Sequence, residues 1–308
     1  MNRKVFILIA VIFSALHFSL WAYPAHADDI SSIVISSGNI LFTGDSMGNL
    51  SAVDRSSLTE IWSHSYSDSS CIGTPIVTDS KVIFTQAAGE ITCLNISDGS
   101  LIWQYIPAFN ESEAEGLNDG AATGDGRVYA AFISGELRAF DLETGKLLWH
   151  YKSEQGLRTA PAYSDGLVFL GEYNGIFSII DASSGERING GGAGGAVNTP
   201  SVSAGNVYYS AWDGSVHAVQ IKAVIPLWNA KLSEPVTTPP VISEGLVIVG
   251  TASGKIVALN QNDGAALWEY SSHGGQLRLS INAGKIFAAT EDGRHLVLDA
   301  KTGKLINE

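Results

Sequence analysis

The chain consists mainly of short apolar runs separated by glycine, aspartate and serine, and the runs recur in groups of four. One group predicts strands at residues 238–242, 246–250, 255–259 and 265–270. Valine, isoleucine and leucine between such turn residues are typical of β-strands. The second run, 246–250, is apolar at almost every position, which predicts a strand that is buried on both faces of its sheet.

One pattern recurs along the whole chain and is clearest at residues 135–149, Gly-x-Leu-x-Ala-x-Asp-x-x-Thr-Gly-x-x-x-Trp. The first glycine of each copy is Gly48, Gly89, Gly135, Gly175, Gly214, Gly254 or Gly293. Tryptophan follows fourteen positions later in five copies, at Trp62, Trp103, Trp149, Trp228 and Trp268. Asn189 and Asn307 stand at the tryptophan position in the other two copies. A regular repeat of this length indicates one folding unit per copy.

Seven four-strand units with buried faces predict an all-β fold, a seven-bladed β-propeller of four-stranded antiparallel blades. We expect it to occupy residues 28–308 as a single domain. The repeated residues have structural reasons: Asp141 and Gly145 suit a tight turn, and Trp149 suits the gap between neighbouring blades. We therefore expect none of them to be catalytic.

Residues 1–27 have the features of a secretory signal peptide. Arg3 and Lys4 precede an apolar run, 5–21, and Ala25-His26-Ala27 supplies the small-residue pattern of a cleavage site. We expect cleavage after Ala27, a periplasmic or secreted protein, and no stable membrane anchor afterwards. The alternative is an uncleaved anchor, because the run is at the short limit of a spanning helix.

Composition excludes several function classes. The chain has 18 Lys and Arg against 31 Asp and Glu, and no basic run, so we expect no nucleic-acid partner. Its two cysteines are too few for a disulfide framework or a four-thiolate zinc site, and we expect Cys71 and Cys93 to be unpaired. The histidines lack metal-ligand spacing, and no nucleophile elbow is present. We expect no metal site, and we expect that the protein is not an enzyme.

The pattern of residues 135–149 resembles the repeat of pyrroloquinoline-quinone (PQQ)-type propellers, a family that includes quinoprotein dehydrogenases and the outer-membrane-assembly protein BamB. The resemblance extends over residues 30–308. These relatives usually have eight blades, whereas this chain has seven copies, and BamB-like proteins usually carry a lipid-anchoring cysteine that is missing here. A quinoprotein would imply PQQ, Ca²⁺, a calcium-binding Glu/Asn/Asp set and often adjacent cysteines. The chain has no adjacent cysteines and no recognisable calcium set, so we expect neither cofactor.

The candidate site lies in the loops between the second and third strands of two neighbouring copies. Glu172-Tyr173 and Trp212-Asp213 place aromatic side chains beside carboxylates, which could stack on a sugar or a peptide. Variable loops on a rigid scaffold commonly carry function. Arg158, near the start of a first strand, completes the set, and we expect it to pair with a neighbouring carboxylate. The alternative for Trp212 is packing between blades.

Two further loops have unusual composition. Residues 106–119 contain Glu111, Glu113, Glu115 and Asp119, which could bind Ca²⁺, but the spacing of an EF-hand fails at Ala122. We interpret this loop as a solvated acidic segment. Residues 190–196 are glycine-rich but lack the Gly-Lys-Ser/Thr of a phosphate-binding loop. We interpret them as a flexible or close-packed connection.

The resemblance and the absence of catalytic motifs favour an exported, non-catalytic interaction scaffold in the cell envelope, similar to BamB. Its partners would be envelope proteins, and we expect a monomer. Two alternatives stay open: a saccharide- or small-ligand-binding propeller, and a PQQ-dependent quinoprotein dehydrogenase.

Overall fold

A computed structural model describes residues 33–45, 47–65, 71–78, 80–107 and 116–308. The predicted signal peptide, residues 1–27, lies outside the described residues, and so do Glu111, Glu113 and Glu115. Every regular element within the described ranges is a β-strand.

The first twelve strands form three sheets. The first sheet contains β1 (Ile33–Ser37), β2 (Ile40–Gly44), β3 (Asn49–Asp54) and β4 (Glu60–Ser65). The second contains β5 (Cys71–Val77), β6 (Lys81–Gln86), β7 (Ile91–Asn95) and β8 (Leu101–Tyr105). The third contains β9 (Leu117–Gly124), β10 (Arg127–Phe132), β11 (Glu136–Asp141) and β12 (Leu147–Lys152).

The remaining strands form four more sheets. The fourth contains β13 (Ala162–Ser164), β14 (Leu167–Gly171), β15 (Ile176–Asp181) and β16 (Arg187–Gly192). The fifth contains β17 (Ser201–Ser203), β18 (Asn206–Ser210), β19 (Ser215–Gln220) and β20 (Ile225–Lys231). The sixth contains β21 (Val241–Ser243), β22 (Leu246–Gly250), β23 (Lys255–Asn260) and β24 (Ala266–Ser271). The seventh contains β25 (Leu277–Asn282), β26 (Lys285–Thr290), β27 (His295–Asp299) and β28 (Leu305–Asn307).

Each sheet consists of four consecutive strands, which we call A, B, C and D, hydrogen-bonded in that order. The predicted all-β fold with seven four-stranded antiparallel blades is confirmed. One compact unit comprises the described residues up to Ser134 together with Arg138–Leu148, and the other comprises Gly135–Leu137 and Trp149–Glu308. The assignment of residues 28–308 to one domain stays a prediction.

Strand A of the sixth sheet is shorter than predicted, because β21 begins at Val241 rather than at residue 238. Pro239 and Pro240 have no N–H to donate to a ladder. The residues before them bond to the end of β22 instead: the Thr237 N–H donates to the Gly250 carbonyl at 2.9 Å, and the Gly250 N–H donates to the Thr238 hydroxyl at 2.7 Å.

The tryptophan of strand D docks against the turn between strands C and D of the following sheet. Trp103 is buried, and its Nε1–H donates to the Leu142 carbonyl at 2.9 Å. Its ring lies over Gly145, where a Cβ would come within 2.6 Å of the ring. Equivalent bonds join Trp62 to Ile96, Trp149 to Ala182, Trp228 to Gln261 and Trp268 to Ala300. The repeated glycine therefore provides clearance for a ring as well as a positive φ.

In the first, second, fourth, fifth, sixth and seventh sheets, strand D carries a β-bulge just before the tryptophan position. In the sixth sheet, Ala258 pairs with Trp268 and Leu259 with Ala266, so Leu267 is the extra residue. The bulged residue in each of these sheets is an exposed isoleucine or leucine: Ile61, Ile102, Ile188, Leu227, Leu267 or Ile306.

The core lies between successive sheets within each unit. Phe42 and Trp62 of the first sheet pack with Phe84 of the second, and Phe169 and Phe177 of the fourth pack with Tyr209 of the fifth. Cys71 in β5 and Cys93 in β7 are both buried, and neither is in a disulfide, as predicted. Burial raises the pKa of each thiol to about 12.

Candidate functional site

Tyr173 lies in the loop between strands B and C of the fourth sheet and is 57% exposed. A tight turn holds this loop, because the Glu172 N–H donates to the Ile176 carbonyl at 2.9 Å and the Gly175 N–H donates to the Glu172 carbonyl at 3.3 Å. Gly175 has a φ of +85°, which a residue with a side chain rarely adopts. The Tyr173 ring lies over Gly156, whose missing Cβ would be 3.5 Å from the ring. The turn thus presents Tyr173 to solvent from a fixed backbone.

Glu172 is only 3% exposed, and its carboxylate is fully engaged inside the protein. Oε2 accepts the Ser153 hydroxyl at 2.7 Å, and Oε1 accepts the Ser178 hydroxyl at 2.6 Å. Ser178 in turn accepts a hydrogen bond from Nε of Arg187 at 3.1 Å. Buried carboxylates require such donors, because desolvation is costly. Glu172 therefore fastens the segment before strand A to strand C and does not face a ligand.

Trp212 occupies the equivalent loop of the fifth sheet, two residues before its repeat glycine, as Tyr173 does in the fourth. Trp212 is 40% exposed. The neighbouring Asp213 is surrounded by donors: Oδ1 accepts the N–H and the hydroxyl of Ser215, at 2.9 and 2.6 Å. Oδ2 accepts the Gly194 N–H and the Lys231 ammonium, both at 2.9 Å.

The donors around Asp213 favour the ionised form of its carboxylate. Partial burial acts to raise its pKa, but the hydrogen bonds from Ser215, Lys231 and the Gly194 backbone outweigh burial and hold the pKa far below its ordinary value. Asp213 is thus ionised near neutral pH, and both of its carboxylate oxygens already accept hydrogen bonds within the protein. Like Glu172, it supports the loop that carries an exposed aromatic residue.

The glycine-rich segment before strand A of the fifth sheet packs closely against this loop. A Cβ on Gly194 would lie 2.8 Å from Asp213 Oδ2, and a Cβ on Gly195 would lie 2.7 Å from the Asp213 backbone nitrogen. The Trp212 N–H donates to the Ala196 carbonyl at 3.0 Å. Of the two interpretations made from the sequence, the close-packed connection matches these contacts.

Arg158 connects the two aromatic residues. Its guanidinium carbon lies 5.0 Å from the centroid of the Trp212 ring, within cation–π range, and Tyr173 lies within electrostatic reach of the same charge. Partial burial lowers the pKa of Arg158. Within the described part of the chain, no carboxylate forms an ion pair with Arg158, and the expected carboxylate partner stays a prediction.

The structure therefore divides the five predicted residues into two groups. The half-buried Arg158 and the exposed Tyr173 and Trp212 form one surface, while Glu172 and Asp213 hold its loops from inside. Sequence reasoning missed Ser153, Ser178 and Lys231, the partners of the two carboxylates. No sequence pattern marks these residues as partners, because only the pairing of strands brings them to Glu172 and Asp213. The sequence does show that Tyr173 and Trp212 occupy the same loop position, two residues before the repeat glycine, and this shared position predicted that they lie on one surface.

Most of the acidic loop, residues 106–119, lies outside the described residues. Of its four carboxylate residues, three lie outside the described ranges, and the side chain of Asp119 is also outside them. Among the described residues, no group of three or more His, Cys, Asp or Glu side chains could hold a metal ion. None of the described residues forms a helix long and apolar enough to cross a bilayer.

The family model described as "Outer membrane protein assembly factor BamB" matches residues 19–223 and 192–308. The chain belongs to this family. It is 26% identical over 250 residues to BamB of Yersinia pestis, covering 78% of this chain and 63% of that protein. It is also 24% identical over 283 residues to the quinohemoprotein alcohol dehydrogenase ADH-IIG of Pseudomonas putida, covering 76% of this chain and 39% of that enzyme. The chain thus spans less than two thirds of the length of these relatives.

The solved structure of BamB from Moraxella catarrhalis has the same fold. It aligns with a TM-score of 0.68 at 22% identity, over 90% of this chain and 87% of that chain. At that identity the likeness shows the fold alone, a β-propeller, and the predicted PQQ-type repeat is confirmed at the level of the family.

Proposed function

We propose that this BamB-family protein is an exported, non-catalytic scaffold that binds an envelope protein through Arg158, Tyr173 and Trp212. The observation that carries the proposal is the half-buried Arg158 guanidinium over the Trp212 ring, without a carboxylate partner among the described residues. Tyrosine, tryptophan and arginine are the residues that most often dominate protein interfaces. The surface has all three on loops that are fixed by internal hydrogen bonds.

Preorganisation strengthens such a surface, because side chains that are already held lose little freedom on binding. Arg158 is held over Trp212, Tyr173 lies on Gly156, and the two loops are tied by Glu172 and Asp213. Binding of a partner would therefore cost little additional conformational entropy at these side chains.

The same contacts favour a scaffold over the two alternatives. The described carboxylates nearest the aromatic residues already have their hydrogen-bond partners, so the described residues offer no free acid or base pair and no oxygen set for Ca²⁺ there. We therefore propose that the protein binds neither PQQ nor Ca²⁺. Arg158 covers part of the Trp212 ring, which reduces the flat surface that a sugar would need.

Export follows from the proposed signal peptide at residues 1–27, and the family description points to the outer membrane. We propose a periplasmic location and a role in outer membrane protein assembly. A sugar-binding propeller could also be exported, so the assembly role is the property that separates the two proposals.

The test is deletion of the gene followed by complementation, with the abundance of outer membrane proteins as the measurement. The unmodified protein should restore those levels, and a Tyr173→Ala, Trp212→Ala double variant should not. We expect Arg158→Ala alone to weaken partner binding by about 2 kcal/mol or more, as for an interface hot spot.

Leu267→Ala is the matched control, because Leu267 is an exposed apolar residue of similar accessibility on edge strand β24. It should complement fully. Restoration by the double variant, at normal levels of a folded protein, would show that the surface is elsewhere. Unchanged outer membrane proteins in the deletion strain would refute the assembly role. Saccharide-dependent quenching of Trp212 fluorescence would support the sugar-binding alternative.

A further inference from the structure

Asn189 and Gly190 are consecutive residues in edge strand β16, and Asn189 occupies the position that carries a docking tryptophan in five other sheets. Both residues are exposed. The Gly190 N–H donates a hydrogen bond to Oδ1 of Asn189 itself, at 2.8 Å. The backbone nitrogen of Gly190 therefore lies beside the amide carbon of the preceding side chain.

This arrangement brings together the two groups that react when asparagine deamidates. The Gly190 nitrogen loses its proton to solvent base and attacks Cγ of Asn189; the new C–N bond closes a succinimide. The Cγ–Nδ2 bond breaks, and the amide nitrogen takes up a proton and leaves as ammonia. Water then opens the ring at either carbonyl, which yields aspartate or isoaspartate. Glycine favours ring closure because it has no side chain to obstruct it, and holding the reacting atoms together accelerates such a step.

The chain contains a second Asn-Gly pair, Asn174-Gly175, whose geometry differs. Oδ1 of Asn174 accepts the Ile176 N–H at 3.1 Å, and the Gly175 N–H donates to the Glu172 carbonyl at 3.3 Å. Gly175 is also buried. The attacking nitrogen is thus engaged with another acceptor inside a fixed turn. We propose that Asn189 is a spontaneous deamidation site of the folded protein and that it reacts ahead of Asn174.

The product would alter the edge of the fourth sheet in two ways. The Arg187 guanidinium fills the space beside Gly190, so a carboxylate at the preceding position 189 would attract it. Arg187 donates to Ser178, a partner of the buried Glu172, so the new charge competes for a residue of that network. An isoaspartate also lengthens the main chain by one carbon within β16.

The experiment is incubation of the purified, folded protein at mildly alkaline pH, followed by peptide mapping with mass spectrometry at both sites. Labelling by isoaspartyl methyltransferase gives a second readout. We expect Asn189 to convert several-fold faster than Asn174, and the ratio of the two rates to be larger than in the denatured protein. Asn189→Gln should remove most of the label and leave the circular dichroism spectrum unchanged. Gly190→Ala is unsuitable, because its Cβ would collide with the Phe177 carbonyl.

Two outcomes would overturn the proposal. Asn174 could convert as fast as Asn189 in the folded protein, or the ratio of rates could be the same in the folded and denatured states. The second outcome would mean that the Asn-Gly sequence alone, and not the geometry at Gly190, sets the rate.

Discussion

At the scale of single residues, the best-predicted roles depend only on neighbours in the sequence. Oδ1 of Asp141 accepts the Thr144 N–H at 2.8 Å and its hydroxyl at 2.7 Å, as expected for a turn-forming aspartate. These bonds from Thr144 hold the pKa of Asp141 below its ordinary value. The partners of Glu172 could not be predicted in the same way, because Ser153 and Ser178 reach it only once the strands are paired.

His217 in β19 is a residue whose environment makes it sensitive to pH. Its ring stacks on Tyr209, with centroids 4.5 Å apart, and its Nε2 is buried without a hydrogen-bond partner among the described residues. Burial lowers the pKa of His217; the charge of Asp213 acts to raise it, and that of Lys231 to lower it further. Burial also raises the pKa of Tyr209 to about 12, so Tyr209 is uncharged near neutral pH.

The sign of the effect on stability follows from proton linkage. The unfolded chain binds a proton at His217 near the ordinary pKa of about 6.5, whereas the folded protein binds it only at lower pH. The free energy of unfolding should therefore fall as the pH drops below about 6.5, until the folded-state pKa is reached. His217→Phe should flatten this part of the profile, measured by urea denaturation across a pH series. A variant with the same slope as the unmodified protein would contradict the assignment to His217.

At the scale of elements, the docking of strand D explains which repeat residues occur together. The fourth sheet has Asn189 instead of tryptophan, and the following sheet has Val224 where five copies have the glycine that lies under the ring. Val224 has a φ of +53° and packs against the core between these sheets. Both exceptions are visible in the sequence, but their connection is not, because it requires knowing that the tryptophan of one copy contacts the glycine of the next.

Trp103→Ala should lower the free energy of unfolding by about 3–5 kcal/mol, since it removes a buried aromatic side chain and leaves a cavity. The cost should be smaller for Trp149→Ala, because Trp149 is only half-buried. Asn189→Ala, at the same repeat position but exposed, is the control and should change the free energy by about 0.5 kcal/mol or less. Chemical denaturation measures all three. Equal losses for Trp103→Ala and Asn189→Ala would show that docking does not stabilise the sheets.

At the scale of the whole molecule, charge and surface composition favour a single copy in solution. The net charge is −13, and net charge far from zero opposes self-association. The large exposed apolar residues of strand D occur singly or as adjacent pairs, such as Leu101 and Ile102, rather than as longer runs. We expect a monomer by sedimentation equilibrium at both low and high salt. A dimer that forms only at high salt would indicate an apolar interface that charge repulsion normally prevents.

The bulge in strand D affects how copies of the protein behave when crowded. The free edge of a sheet can template the addition of a strand from another molecule, which is a common route to aggregation. An extra residue such as Leu267 shifts the edge hydrogen-bonding groups out of the regular spacing that an incoming straight strand needs. An exposed apolar side chain lowers solubility, but the same extra residue disrupts the hydrogen-bonding pattern to which another strand would add. Substituting such a residue should keep the bulge and its protection against aggregation. Deleting the residue should restore a regular edge that can pair with a strand of another molecule.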